Sequence, residues 1–261
     1  MSENFEKILF KVLRDLEKSL PYLVLVGGWV PYCYSHYEWQ LKEISVQLTT
    51  DIDFGIIPSK SKKNINQITA QLKGKEEYKE KHLTLGKMQP YVLQYRSGDA
   101  DSPVPIEFLS SLKASKKSLT QITGQGPSVN QLKYFDFLLE NTQKISISKK
   151  GLEFIVPTEV AYSFHKGLTF SERLNQDKKA KDILSLYYML VFSPNRKKIV
   201  QEINGFKKHT YWRQFEKNIY KYFQSKQSSG IRMLKEGLKM TDWPNLEDGL
   251  YVDMFMGLVG Y

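Results

Sequence analysis

Apolar residues along the first 156 positions switch between helical and strand spacing, and after Pro157 the spacing becomes almost wholly helical. Residues 3–19 repeat Phe5, Ile8, Leu9, Val12 and Leu16 on one face and predict an amphipathic helix. The run Tyr22–Val26 predicts a buried strand, broken by Gly27 and Gly28; the aromatic-rich stretch from Trp29 to Trp39 then predicts a helix with Pro31 in its first turn. A strand is expected over 51–57, a surface helix over 60–74 ending at Gly74, and three further strands over 82–86, 90–96 and 104–110. Two late strands around Gly151 complete the set as a hairpin. Five helices are then predicted at 158–168, 174–192, 195–205, 209–225 and 229–240, the first opened by Thr158 and Glu159. The pattern gives an α+β chain: a mixed-sheet domain with flanking helices over residues 1–156, and a helical C-terminal domain over 157–261. No internal repeat and no low-complexity segment interrupts it.

Composition narrows the class. With 261 residues, 41% hydrophobic and 13% aromatic, the chain has enough apolar material for a real core. No run approaches the roughly 18 apolar residues of a membrane span, and the charged amphipathic start is unlike a secretion signal. The single Cys33 excludes an internal disulfide and a cysteine-rich zinc site, so a cytoplasmic protein is expected. Net charge is +10, and it is uneven: residues 1–56 hold 5 Lys/Arg against 8 Asp/Glu, the remainder 33 against 20. Such a balance suits a polyanion partner, RNA or a nucleoside triphosphate, and is equally that of a lysine-rich soluble surface.

The stretch Leu48–Ile56 (LTTDIDFGI) carries the chemistry. On a strand, Asp51 and Asp53 point the same way, and two like charges raise each other's pKa unless a cation lies between them. Paired carboxylates of this kind suit Mg²⁺, which takes one or two carboxylates plus substrate phosphates. Glu107, in the apolar strand Val104–Ser110, is the candidate third carboxylate of a two-metal site. Gly27-Gly28 between a strand and a helix start lets bare backbone N–H groups approach a phosphate. Taken singly, each feature has an ordinary reading as well: a glycine turn, or two acids on a surface strand.

In this order, LVGGWVPYCYSHY, LTTDIDFGI and VPIEFLS resemble the nucleotidyltransferase core of the DNA polymerase beta superfamily. The later stretch from Pro157 to Leu190 is similar to the helical region of the bacterial AbiEii-like nucleotidyltransferases, some of them toxins of toxin–antitoxin pairs. The resemblance covers about residues 20–195. It implies a nucleoside triphosphate such as ATP across Gly27-Gly28, two Mg²⁺ ions on Asp51, Asp53 and Glu107, and Glu107 assisting deprotonation of the attacking hydroxyl. Lys166 would meet the departing pyrophosphate, and Arg173, Lys181 and Asp182 would complete the nucleotide-binding set, Asp182 either orienting Lys166 or receiving a nucleotide group. For Lys181 and Asp182 a solvated helix face is the plain alternative. The chain departs from the superfamily pattern in four places: a longer gap between Gly28 and Asp51, Gln47 where a basic residue often stands, Trp29 where many members have Ser, and Glu107 where Asp is usual.

Other motifs point nowhere else. His36, His82, His165 and His209 lack metal-ligand spacing, and neither a P-loop nor a G-x-S-x-G elbow occurs. His165 reads as a helix-surface residue or a phosphate contact, and Ser35 falls about two turns after the glycine pair, within reach of a phosphate. Over 206–227, Tyr211, Phe215, Ile219, Tyr222 and Phe223 predict a core face, leaving Lys207, Lys208, Arg213, Lys217, Lys221 and Lys226 outward as a plain amphipathic helix or an RNA-tracking one. The apolar end, 248–261, should dock on the body or on a partner subunit.

Two functions follow from different classes. One is a Mg²⁺-dependent nucleotidyltransferase acting on a hydroxyl of tRNA or another RNA, of a protein side chain or of a small molecule, with an antitoxin protein as a possible partner and no membrane. The other is a catalytically silent nucleotidyltransferase-like protein that binds nucleic acid or a partner.

Overall fold

The computed structural model describes residues 2–44, 46, 51–58, 67–82, 91–96, 103–124 and 127–261. Among these, no helix is long and apolar enough to cross a membrane. The chain forms two compact units, Met1–Val30 with Leu48–Pro157 and Pro31–Gln47 with Thr158–Tyr261.

The first unit is a mixed sheet with helices. Its elements are α1 (Ser2–Asp15), β1 (Leu23–Val26), the start of α2 (Trp29–Cys33), β2 (Ile52–Ile56), α3 (Ile68–Leu72), β3 (Tyr78–His82), β4 (Tyr91–Tyr95), β5 (Val104–Ser111), α4 (Lys116–Thr123), β6 (Val129–Leu132), α5 (Phe135–Glu140), β7 (Thr142–Ile147) and β8 (Leu152–Pro157). The strand order is β3-β4-β5-β2-β1-β8-β7, with β6 paired to β5. β1 runs antiparallel to β2 and parallel to β8, while β2 and β5 are parallel. All four residues of the Leu-Val-Leu-Val strand β1 are buried, as a central strand covered on both faces requires. The predicted late hairpin is β7 and β8, turned by a short 3₁₀ segment and by Gly151 at φ +59°. Of the expected surface helix over 60–74, only Ile68–Leu72 lies within the described residues as helix, and the strand expected over 82–86 is described only at His82.

The face of the sheet that matters for the site alternates cleanly. In β2, Ile52 and Phe54 are buried and Asp53 is half-buried; in β5, Ile106 and Phe108 are buried and Glu107 is half-buried. The Phe54 and Phe108 rings stack at 6.2 Å on the apolar side. Along the acid side α5 packs at Gly55, where any side chain would press within 2.7 Å of Leu139 and into Phe135. Helices α4 and α5 and strand β6 were not visible in the periodicity, because all three are eight residues or shorter and the strand lacks strong apolar alternation.

The second unit is helical. After α2, the chain continues as a π-helix, Tyr34–Glu38, and the C-terminal portion adds α6 (Glu159–Thr169), α7 (Gln176–Phe192), α8 (Arg196–Gly205), α9 (Trp212–Phe223), α10 (Ser229–Leu238) and α11 (Asp248–Met256). Thr158 caps α6 by accepting from the Ala161 N–H, and Asn175 caps α7 by accepting from that of Lys178. Helices α6 and α9 lock at Gly167, where a side chain would run into Phe215; there Asn218 donates to the carbonyls of Gly167 and Leu168. Phe215, Ile219 and Phe223 are buried as predicted, Tyr211 and Tyr222 only in part, and Trp212 joins the core instead. The apolar C-terminal stretch docks within its own unit: Phe255 stacks on Phe223 at 3.9 Å, and Leu258 and Val259 are buried.

Candidate active site

The acid face of the sheet unit is built by register. β2 and β5 are parallel neighbours, and Asp53 pairs directly with Glu107. Side chains paired in this way point to the same face from strands about 4.8 Å apart. Asp51 precedes β2 by one residue and is half-buried like Asp53, with Ile52 between them fully buried. Asp53 and Glu107 therefore share one partly open surface backed by Ile52, Phe54, Ile106 and Phe108. Among the described residues no group of three His, Cys, Asp or Glu side chains stands together so as to hold a metal ion.

The glycine turn is fitted to the same spot. Val26, the last residue of β1, pairs with Asp53, so Gly27 comes level with that carboxylate. Gly27 has φ +71°, and a methyl group there would overlap the Asp53 Oδ2. Two independent constraints thus demand glycine: a left-handed backbone and the close approach of an acid. Gly28 completes the turn into α2.

Trp29 has a role that residue type alone did not disclose. Its indole Nε1 donates to the Asp51 backbone carbonyl at 2.9 Å, and its ring is buried. The side chain thereby ties the residue after the glycine turn to the residue that opens β2. A serine hydroxyl could not span that distance. The only sequence signal was negative, a bulky aromatic where the superfamily pattern has a small polar residue.

A separate cluster lies in the helical unit. Lys166 on α6 and Asp182 on α7 are both buried, at 9% and 5% exposure, and the ammonium bonds to the Asp182 Oδ1. Arg173 Nε donates to the other oxygen, Oδ2, at 2.9 Å. Burial alone would raise the Asp182 carboxyl, but the charges of Lys166 and Arg173 outweigh it and hold the acid below the usual carboxylate range. Burial likewise opposes the Lys166 charge, and Asp182 overcomes it, leaving the amine above its ordinary value. The Lys166 ammonium also lies 5.4 Å from the centre of the Tyr162 ring. Both oxygens of Asp182 are thus taken up by Lys166 and Arg173. Lys181, one residue earlier, is exposed on the outer side of α7 and takes no part in the cluster.

Two other expectations are corrected. Ser35 is buried and donates to the Leu41 carbonyl at 2.9 Å, so its hydroxyl closes a local turn and does not face a phosphate. His165 is buried within α6 instead of lying on its surface, because α6 is covered along nearly its whole circumference. The basic residues Lys207, Lys208, Arg213, Lys217, Lys221 and Lys226 are all exposed, and Arg213, Lys217 and Lys221 form a stripe at four-residue spacing along α9.

With this geometry in view, comparison with known proteins bears on the fold. No protein-family description matches the chain, and no curated protein matches it. Among solved structures, it is similar over 92% of its length to the crystal structure of an antigenic nucleotidyltransferase-like protein from Paracoccidioides brasiliensis. That likeness covers 94% of the other chain, with a TM-score of 0.51 and 14% identity. The fold is thus nucleotidyltransferase-like, a mixed sheet with a helical C-terminal region.

Proposed function

We propose that the protein is a nucleotidyltransferase that moves a nucleoside monophosphate from a triphosphate onto a hydroxyl acceptor. The observation that carries this reading is the register of Asp53 with Glu107, level with a glycine turn that cannot accept a side chain. Half-exposed carboxylates on a rigid sheet, backed by buried aromatics, are the donor set a hard divalent cation prefers. Asp51, Asp53 and Glu107 would hold two Mg²⁺ ions, which when bound supply charge neutralisation for the triphosphate and lower the pKa of the attacking hydroxyl.

The remaining work belongs to the chain itself. The Gly27-Gly28 turn would present its backbone to the phosphates beside the Asp53 carboxylate. The acceptor oxygen bonds to the α-phosphorus while the bond from that phosphorus to the bridging oxygen of pyrophosphate breaks. Glu107 accepts the hydroxyl proton. Trp29 keeps Asp51 at the mouth of β2 through its carbonyl, so the order of acids along the face is preserved. In the helical unit, Asp182 holds the Lys166 ammonium in one orientation as a candidate phosphate-binding cation.

In its finer form the reading follows the resemblance to the AbiEii-like nucleotidyltransferases: an RNA acceptor, tRNA first, and a toxin restrained by an antitoxin protein. Support for the polyanion comes from charge. Residues 196–226 carry nine Lys/Arg against two Asp/Glu, and the α9 stripe of Arg213, Lys217 and Lys221 is exposed. The second reading, a silent member that binds nucleic acid or a partner, is favoured by one observation, that no three acids are already grouped as a metal cage among the described residues.

The test is label transfer. Purified protein is incubated with Mg²⁺, each α-labelled triphosphate in turn, and total RNA or cell extract. Transfer that disappears in Asp53→Ala is the expected result. Retention of label by the variant, or no transfer with any triphosphate and acceptor, overturns the enzyme reading and leaves the binding protein.

A further inference from the structure

The helical unit contains a double cavity that the transferase reading does not use. Its first compartment, about 700 Å³, is walled mainly by apolar side chains, among them Val191 from α7, Val200 from α8, Leu246 from the connecting segment, and Leu250 and Met254 from α11. That size falls within the roughly 300–1,000 Å³ of small-molecule sites. Its second compartment, about 710 Å³, is polar and surrounds the first turn of α8, with Ser193, Asn195 and Lys198 on its walls. The two adjoin, with Val191, Arg196, Lys197 and Gln201 lining both.

The two cations at the junction, Arg196 and Lys197, are exposed. Among the described residues neither Arg196 nor Lys197 has an acidic partner, whereas the neighbouring Lys198 has Glu202 at 3.7 Å. Among the described residues the only acid on the apolar compartment is Asp253 of α11, which disfavours an anion on that side. Leu250, on the same wall, is 51% exposed, a large apolar side chain with one flank uncovered. An apolar chamber joined to a cationic one calls for a ligand with the same division. Neither a free phosphate nor a neutral hydrocarbon uses both halves, since the one leaves the apolar wall wet and the other forgoes the attraction of two exposed cations.

We propose that this double cavity binds a single-chain anionic amphiphile, its hydrocarbon body against Val200, Leu246, Leu250 and Met254 and its carboxylate or phosphate head between Arg196 and Lys197. The head sits towards α8 and the tail runs towards α11, the direction set by Asp253. The site is independent of the transfer chemistry, so it stands or falls on its own measurement.

Calorimetric titration of the full chain with laurate and with dodecyl phosphate, both below micelle formation, tests it, with uncharged dodecanol in parallel. Expected is one saturable event per chain for both anions. The double variant Arg196→Glu, Lys197→Glu should weaken binding about tenfold or more, the scale of a lost charge-assisted contact. Dodecanol should bind the unaltered chain more weakly than laurate by a similar factor. Val200→Trp, which fills the apolar compartment, should abolish binding with the circular dichroism spectrum unchanged; the charge variants, being on exposed residues, keep the question open to an answer if the tryptophan variant fails to fold. The proposal is overturned by the absence of saturable binding, by equal affinity in the charge variant, or by equal affinity for dodecanol. Adsorption to phosphatidylglycerol vesicles without binding of free laurate also overturns it, by assigning the face to a membrane surface.

Discussion

Asp53 and Asp182 are the same residue type in two opposite situations. Asp53 stands half-exposed on a strand, beside Glu107 in strict register, on a face that presents acids to the outside. Asp182 is buried on a helix, and both its oxygens are occupied by Lys166 and Arg173. The first acid stands in register with a second carboxylate on a partly open sheet face. The second has its cations built in. The comparison teaches that the acid proposed to act in transfer and the acid tied into an ion cluster differ in what the fold supplies around them, and that exposure and register distinguish them better than local sequence.

The comparison can be broken first on stability. Asp182→Asn leaves the Lys166 charge buried without its partner, and should cost about 3 kcal/mol in urea unfolding. A loss as small as that of an exposed ion pair, below about 1 kcal/mol, would show that the cluster is not a buried unit. The same cluster fixes a pH dependence. Asp182 has a folded pKa below its usual 3.8, so its contribution is complete above that value and fades as pH falls through the lowered one. Lys166 is raised above 10.5, so its contribution is complete below 10.5 and fades as pH rises beyond. Unfolding curves should thus share a plateau between these limits, and Asp182→Asn should flatten the acid limb.

Next in size is Asp53→Asn, expected to reduce label transfer about 100-fold or more while moving the urea midpoint hardly at all. A variant that loses stability and activity in proportion would place Asp53 with Asp182, and the contrast would disappear. Gly27→Ala follows, at about 1–3 kcal/mol, because a side chain is strained at φ +71° and meets the Asp53 carboxylate. Transfer should fall with it, since the acid must shift; full activity in a destabilised Gly27→Ala protein would separate the turn from the site. Smallest is Trp29→Phe, which removes the donor to the Asp51 carbonyl and should cost about 1 kcal/mol, visible as a lower melting temperature.

How far the site was legible in the sequence can be told from particular residues. Asp51, Asp53 and Glu107 stood out as candidates because acids inside apolar β-prone runs violate the expected pattern, and strand periodicity puts Asp53 and Glu107 opposite the buried residues of their strands. Their alignment across the sheet was not readable, since register between β2 and β5 joins residues 53 and 107 through more than fifty intervening positions. The long helices after Pro157 were readable from apolar spacing and from Thr158 and Asn175 as caps. The short elements α4, β6 and α5 were not, because eight residues or fewer give too few repeats to show a period. His165 misled for the reverse reason: a polar residue reads as surface unless the helix is enclosed on all sides.

By itself, then, the sequence determined the acid-bearing strands, the glycine turn and the change from mixed to helical organisation, all of which depend on neighbours within a few residues. Tertiary structure alone decided that Asp53 is level with Glu107 and Gly27, that Trp29 reaches the Asp51 carbonyl, and that Asp182 is neutralised by Lys166 and Arg173 while adjacent Lys181 faces solvent. Local pattern is set by chain geometry over a turn or two of backbone; charge state and ligand capacity are set by desolvation and by partners that only folding brings near.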